Sequence, residues 1–283
     1  MNPATTATSL ISSANPARVT YTATVTSQYS GAVTGTVTFQ DAGSTIATVP
    51  LASNQAAYST TYTKAGYQAI TATYSGDASN LGSTSATLME YIDSVASKTV
   101  VTTSGSPSLD GQPVTFTATV TSTHGAIPDG ELVTFYDGKT AIGTGTTAGG
   151  IATFVTSSLK AETHTIKAAS PGDETFEPST GSVKQVVDKY TTTTALSSSL
   201  NPSNYKQAVT FTATVTSTGP NTPTRKVEFK NGTKSMGWAT LSTGVAMLTT
   251  SKLAVGSYSI TAEYQGDANS AESTSSVLDQ VVE

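Results

Sequence analysis

The sequence predicts an all-β chain of three tandem sandwich domains, and three observations carry that prediction. The segments VTYTATVTS (Val19 to Ser27), VTFTATVTS (Val114 to Ser122) and VTFTATVTS (Val209 to Ser217) begin at 19, 114 and 209, a step of 95 each time. Two further markers keep the same beat: a Gly-Asp pair ending at Asp77, Asp173 and Asp267, and a phenylalanine at Phe39, Phe135 and Phe229. A period of this length suits a small domain with its own core, whereas solenoid repeats are shorter and need their neighbours. Finally, threonine makes up about a fifth of the chain, far above ordinary globular usage. Its β-branched side chain suits the exposed face of a pleated strand.

The middle repeat shows the elements in order. Val114, Phe116, Ala118 and Val120 alternate with Thr115, Thr117, Thr119 and Thr121, which gives a strand with an apolar inner and a hydroxylated outer face. Val19, Tyr21, Ala23 and Val25, and Val209, Phe211, Ala213 and Val215, repeat the pattern. A loop ending at Gly130 leads into ELVTFYD, where Val133 and Phe135 are expected to face inward through one register or a bulge. Asp137 to Lys139 reads as an Asp-Gly hairpin turn. TAIGTGTT, a glycine-rich turn at Ala148 to Gly150, IATFVTSS, HTIKAAS and GSVKQVV complete the repeat. About seven short strands with turn signals roughly every ten residues form the pattern of an immunoglobulin-like sandwich.

An entry strand of the VTFTATV kind, a mid-domain Phe-x-Asp/Asn-Gly turn, and a late strand closing as ITATYSGD or ITAEYQGD resemble the bacterial Ig-like repeat family of large secreted and surface proteins. The resemblance covers essentially the whole chain and implies three domains, over 1–93, 94–189 and 190–283. It implies a non-catalytic spacer or stalk in a bacterial extracellular or cell-surface protein, supporting adhesion or display. The alternative it leaves open is an adhesive module that recognises a glycan or protein through the loops of one domain. The middle repeat departs from the pattern with Ser170 in place of Tyr74 and Tyr264, so its core there is expected to be smaller or rearranged.

Composition narrows the chemistry. A formal charge of −5 without a basic cluster disfavours nucleic acid, and the absence of cysteine excludes disulfides, thiolate catalysis and cysteine zinc sites. No apolar run is long enough to cross a bilayer, and the opening MNPATTATSL lacks the features of a signal peptide, so any export signal or anchor is expected outside this segment. No GxSxG, HExxH, Walker-type or EF-hand motif occurs. His164 takes a strand position filled by Gln68 and Tyr258 in the sister repeats, and His124 lies in a loop, so neither is expected to be catalytic. The glycines from Gly143 to Gly150 precede a strand, which favours a hairpin over a phosphate loop.

Two sets of candidate binding residues remain. Asp93 with Asp173, and Asp188 with Asp267, are expected to approach one another at the domain junctions, with Asp129 at the same pole of the middle repeat. They are candidate calcium ligands, weighed against ordinary turn aspartates. No cofactor is otherwise expected. Trp238, the sole tryptophan, stands where the other repeats have Thr48 and Thr144, and is the candidate ligand-stacking aromatic. The loop around Phe176, taken as longer than its counterparts, is a second candidate for recognition. Lys64 sits at a turn, which disfavours a repeated lysine isopeptide crosslink. The exposed strand edges are compatible both with single chains and with chains joined edge to edge.

Overall fold

The computed structural model describes residues 2–15, 18–29 and 31–283. Its first sandwich is built from β1 (Thr6–Asn15), β2 (Arg18–Ser27), β3 (Thr36–Asp41), β4 (Ser44–Pro50), β5 (Gln55–Thr61), β6 (Gly66–Tyr74), β7 (Ser83–Thr84) and β8 (Leu88–Ile92). The second comprises β9 (Ser97–Thr103), β10 (Ser108–Leu109), β11 (Val114–Ser122), β12 (Leu132–Asp137), β13 (Thr140–Thr146), β14 (Ile151–Thr156), β15 (Thr163–Ser170) and β16 (Ser179–Asp188). The third comprises β17 (Thr192–Ser198), β18 (Val209–Ser217), β19 (Lys226–Asn231), β20 (Lys234–Thr240), β21 (Val245–Thr250), β22 (Gly256–Tyr264), β23 (Ser273–Thr274) and β24 (Leu278–Val282). Each sandwich pairs a three-stranded sheet with a five-stranded one: β1-β2-β5 against β4-β3-β6-β7/β8 in the first, β14-β11-β9 against β10-β16-β15-β12-β13 in the second, and β17-β18-β21 against β20-β19-β22-β23/β24 in the third.

The period-two pattern is what closes these sheets. Val19, Tyr21, Ala23 and Val25 on β2 are buried, as are Val114, Phe116, Ala118 and Val120 on β11 and Val209, Phe211, Ala213 and Val215 on β18. Phe39, Phe135 and Phe229 are fully buried on the opposing sheet. Three separate clusters result, drawn from residues within 19–92, 95–187 and 209–264. The intervening threonines face outward and bond across strands, as Thr210 does to Thr249 at 2.8 Å and Thr193 to Thr216 at 2.7 Å.

A bulge is present in all three sandwiches, on the strand paired with Phe39, Phe135 and Phe229. Phe135 pairs with Gly143 and Tyr136 with Ala141, so Ile142 is the extra residue. Ile46 and Met236 are its counterparts. A bulge turns one side chain against the alternation, and all three pack against their cores. The glycine-rich stretch is a hairpin: Ala148 bridges Ile151 across Gly149 and Gly150, whose φ values of 58° and 77° fit a two-residue turn with both φ positive.

One feature of the second and third sandwiches has no sequence signature. After β9 the chain crosses to the opposite sheet, where β10 pairs in parallel with β16, and Ser203 makes the matching parallel bridge to Val282. A fully buried glutamine supports each crossing. Gln185 accepts from the Thr103 hydroxyl and donates to the Gly105 carbonyl at 3.0 Å; Gln280 accepts from Ser198 and donates to Leu200 at 2.9 Å. A buried amide without such partners would be costly. In the first sandwich β1 and β2 stay paired from Thr6–Ser27 to Asn15–Arg18.

Candidate functional site

The Gly-Asp motif builds a loop that grips the incoming chain. In every repeat the aspartate N–H donates to the carbonyl three residues on, from Asp77 to Asn80, Asp173 to Phe176 and Asp267 to Ser270. One carboxylate oxygen then accepts from the loop N–H groups: Ser79 for Asp77, Thr175 and Phe176 for Asp173, Asn269 and Ser270 for Asp267. So shaped, the loop makes two backbone hydrogen bonds to a residue just before the first strand of its sandwich. Ala4, Val95 and Tyr190 are held this way, Val95 by the carbonyl of Thr175 and the N–H of Glu177. Val95 and Tyr190 are only 7% exposed, so the residues entering the second and third sandwiches are docked.

The second carboxylate oxygen separates the middle repeat from its sisters. Asp77 accepts the N–H and hydroxyl of Thr34 and the hydroxyl of Tyr74. Asp267 accepts the N–H and hydroxyl of Thr224 at 2.9 and 2.8 Å. The Thr34 backbone N–H, with the other donors, holds the Asp77 carboxyl well below the usual carboxylate range. Burial would push Asp267 up, but the Thr224, Asn269 and Ser270 donors outweigh it and also hold it well below that range. Burial, and then the neighbouring carboxylate, pushes the Tyr74 and Tyr264 hydroxyls up to about 12.

In the middle repeat the tyrosine is Ser170 and the threonine is Gly130, so Asp173 has neither partner. Phe176 fills the space instead. It is 6% exposed, belongs to the second core, and lines one small gap with Ser170, Ile127 and Pro128. The expected rearrangement is therefore an exchange of a strand tyrosine for a loop phenylalanine. This corrects two expectations. Phe176 is a core residue and not a recognition residue, and its loop is no longer than the others, since the next strand starts six positions after the aspartate at Ser83, Ser179 and Ser273 alike.

The candidate calcium aspartates fall as follows. Asp173 and Asp267 lie in loops that touch the chain entering their own domains, as topology implied. Both oxygens of Asp267 are engaged by N–H and O–H donors, whereas among the described residues Asp173 accepts through one oxygen only, from the Thr175 and Phe176 N–H groups. Asp93 and Asp188 are exposed, and neither shares a hydrogen bond with Asp173 or Asp267. Asp129 accepts instead from the Gly149 N–H at 2.7 Å. Among the described residues no three His, Cys, Asp or Glu side chains converge as a metal-holding group.

Other groups tie the domains together. At the first junction the Ala65 N–H donates to the Glu174 carbonyl, the Thr175 hydroxyl donates to the Thr63 carbonyl, and Lys64 pairs with Glu174 at 2.9 Å. At the second, Asn269 donates to the Asp110 carboxylate at 2.7 Å and Gln112 to the Tyr190 hydroxyl at 3.1 Å. Exposed ion pairs such as Lys64–Glu174 contribute little alone; the backbone contacts fix the geometry. Tyr190 lies flat on Gly219, where a Cβ would meet its ring at 2.4 Å.

His164 is structural, as its strand position suggested. It is 5% exposed, with Nδ1 2.8 Å from the Asp137 carboxylate and Nε2 2.8 Å from the Lys160 carbonyl. Burial lowers its pKa, but the Lys160 carbonyl, Asp137 and the charge of Glu162 outweigh burial and raise it overall. The imidazolium donates through both nitrogens, which the neutral ring cannot do. A raised folded pKa gives stability that is complete below the unfolded value, about 6.5, and lost as pH rises through the folded value. Urea unfolding of the middle domain is therefore expected to shift to lower denaturant between pH 6 and pH 8. His164→Gln, which installs the residue found at Gln68, is expected to flatten that dependence; an unchanged slope would contradict this assignment.

Trp238 lies on β20, 49% exposed, and pairs across the strand with Glu228. His124 is exposed in a loop beside the first junction. Among the described residues no helix is long and apolar enough to cross a membrane.

Comparison with solved structures finds multi-domain β-sandwich chains. The Escherichia coli adhesin FdeC is 16% identical, with 98% of this chain and 96% of that one covered and a TM-score of 0.32. The ectodomain of mouse nectin-like molecule 4 is 14% identical over 94% of each chain, at a TM-score of 0.33. The fibronectin(III)-like modules of Clostridium thermocellum CbhA are 18% identical over 65% of this chain and 93% of that one, at 0.29. At such scores these likenesses say nothing of what this chain binds. No curated protein matches it. The family model for the bacterial Ig-like domain (group 3) matches three times, over residues 5–91, 101–188 and 196–283. The chain thus belongs to the bacterial Ig-like domain (group 3) family, as three tandem copies.

Proposed function

We propose that this chain is a non-catalytic spacer of a bacterial extracellular or cell-surface protein, in which three separately folded sandwiches, 1–93, 94–189 and 190–283, are held in a defined succession. The observation that carries the reading is the recurrent grip of the Gly-Asp loop on the chain entering its own sandwich, at Ala4, Val95 and Tyr190, together with the direct contacts at both junctions. A spacer transmits position only if its joints are constrained, and here the linker residues Val95 and Tyr190 are packed and hydrogen-bonded. Asp173 and Asp267 serve this role as turn locks, since each carboxylate accepts from backbone N–H groups of its own loop.

The reading requires each unit to fold alone, because each has its own cluster of buried residues. Residues 94–189 expressed by themselves are expected to give a β-type circular dichroism spectrum and one cooperative unfolding transition. An unfolded product would remove the basis for separate units.

A further inference from the structure

The five-stranded sheets of the three sandwiches present the same register row to solvent, and its chemistry changes along the chain. In the first sandwich the row is Thr48–Thr38–Thr73–Thr84, tied by hydroxyl contacts of 3.2 Å (Thr38–Thr48) and 3.1 Å (Thr73–Thr84). In the second it is Thr144–Thr134–Ala169–Thr180. In the third it becomes Trp238–Glu228–Glu263–Thr274. Neighbouring Lys230, which replaces Gln40 and Tyr136 of the sister sheets, places its ammonium between the two carboxylates, 3.4 Å from Glu228 Oε2 and bonded to Glu263 Oε2. The charged side chains are largely covered, at 14% exposure for Glu228, 22% for Lys230 and 29% for Glu263, while the indole beside them is open.

We infer that this face of the third sandwich is a binding site for a neutral saccharide, stacked on Trp238 and hydrogen-bonded by Glu228, Lys230 and Glu263. An exposed indole offers a flat apolar surface to the C–H face of a sugar ring. Both carboxylates meet Lys230 through Oε2, so each keeps an Oε1 without a protein donor among the described residues. Lys230 adds donors of its own. Acceptors and donors side by side next to an aromatic plane match adjacent sugar hydroxyls. A cationic ligand fits less well, because Lys230 already holds the position between the two acids. An anionic one fits less well too, because the cluster of two carboxylates and one ammonium is net negative. This proposal goes beyond the spacer reading and stands or falls separately from it.

Trp238 is the chain's only tryptophan, so emission from the intact protein reports on this position alone. The probes are cellohexaose, maltohexaose and N-acetylchitohexaose, with hexalysine as the cationic comparison. At least one of the three saccharides is expected to change the emission saturably, with Kd on the order of 0.1–1 mM. Glu228→Gln is expected to weaken that binding about tenfold. Trp238→Thr, which restores the residue of the sister sheets, is expected to abolish calorimetric binding while leaving the melting temperature within about 2 °C. No saturable response to any of the three up to 10 mM, a response to hexalysine alone, or binding that survives Trp238→Thr would each overturn the assignment.

Discussion

Phe176→Ala is expected to destabilise the middle sandwich by about 3–4 kcal/mol, the usual cost of emptying a buried phenylalanine site. Phe176 is 6% exposed in the second core and lies against Ser170, the position held by Tyr74 and Tyr264 in the other sandwiches. The more revealing test is a cycle. Ser170→Tyr alone forces a second ring into a filled site and is expected to cost about 1–3 kcal/mol. Phe176→Asn alone installs the residue found at Asn80 and leaves a cavity. Combined, the two recreate the first sandwich's arrangement, and the double variant is expected to be more stable than the sum of the singles by about 2 kcal/mol. Urea unfolding of residues 94–189 reads all three. Strict additivity would show that the tyrosine and phenylalanine do not exchange places.

Asp267→Ala is expected to cost the third sandwich about 3 kcal/mol. It strips the acceptor from three backbone N–H groups and one hydroxyl at a site that is 9% exposed, and hydrogen bonds to a charged acceptor are among the stronger ones. The Trp238 fluorescence of the intact chain follows this domain's unfolding. Because the folded carboxyl titrates below its unfolded value, its contribution is complete above about pH 4 and is lost as pH falls through the folded value. The loss on substitution is thus expected to be large at pH 7 and to shrink in acid. It is also expected to be equal in Ca²⁺ and in chelator. A melting temperature raised by Ca²⁺ in the native chain, and not in the variant, would favour the calcium reading of Asp267, proposed together with Asp188.

How much of this was legible beforehand follows from the range of each interaction. Val114 through Val120 declare their strand and its buried face because alternation is local, and Asp137 and Gly149 declare turns through local backbone preferences. Val133 and Phe135 left one register or a bulge open; the bulge falls on the partner strand, and Ile142, which it turns inward, became identifiable only with the pairing register. Gln185 gave no hint of its burial: a glutamine following Lys184 reads as a polar strand residue until the crossing chain at Gly105 is in place. Phe176 was misread for a related reason. An apolar residue in a loop is exposed unless the loop roofs the core, and only the paired loss of tyrosine at Ser170 signalled that it does.

The junctions show the same limit. Topology correctly brought the loops of Asp173 and Asp267 to the chain entering their domains, yet it gave no view of what their carboxylates bind, which is mostly backbone. Lys64 read as an ordinary turn residue, because its partner Glu174 belongs to the next domain. Trp238 was singled out for being unmatched, but the acids beside it emerge only when β19, β20 and β22 are aligned.

Small-angle scattering of the intact chain tests the central claim most directly. A strand rises about 3.3 Å per residue, so a sandwich with its loops is about 40 Å long and three in constrained succession form a rod of about 120 Å. The account predicts a maximum dimension near that length (about 120 Å) with the cross-section of one sandwich. A maximum dimension of about 70 Å, under two of those sandwich lengths, would mean that the domains fold back on one another, and it would contradict the spacer.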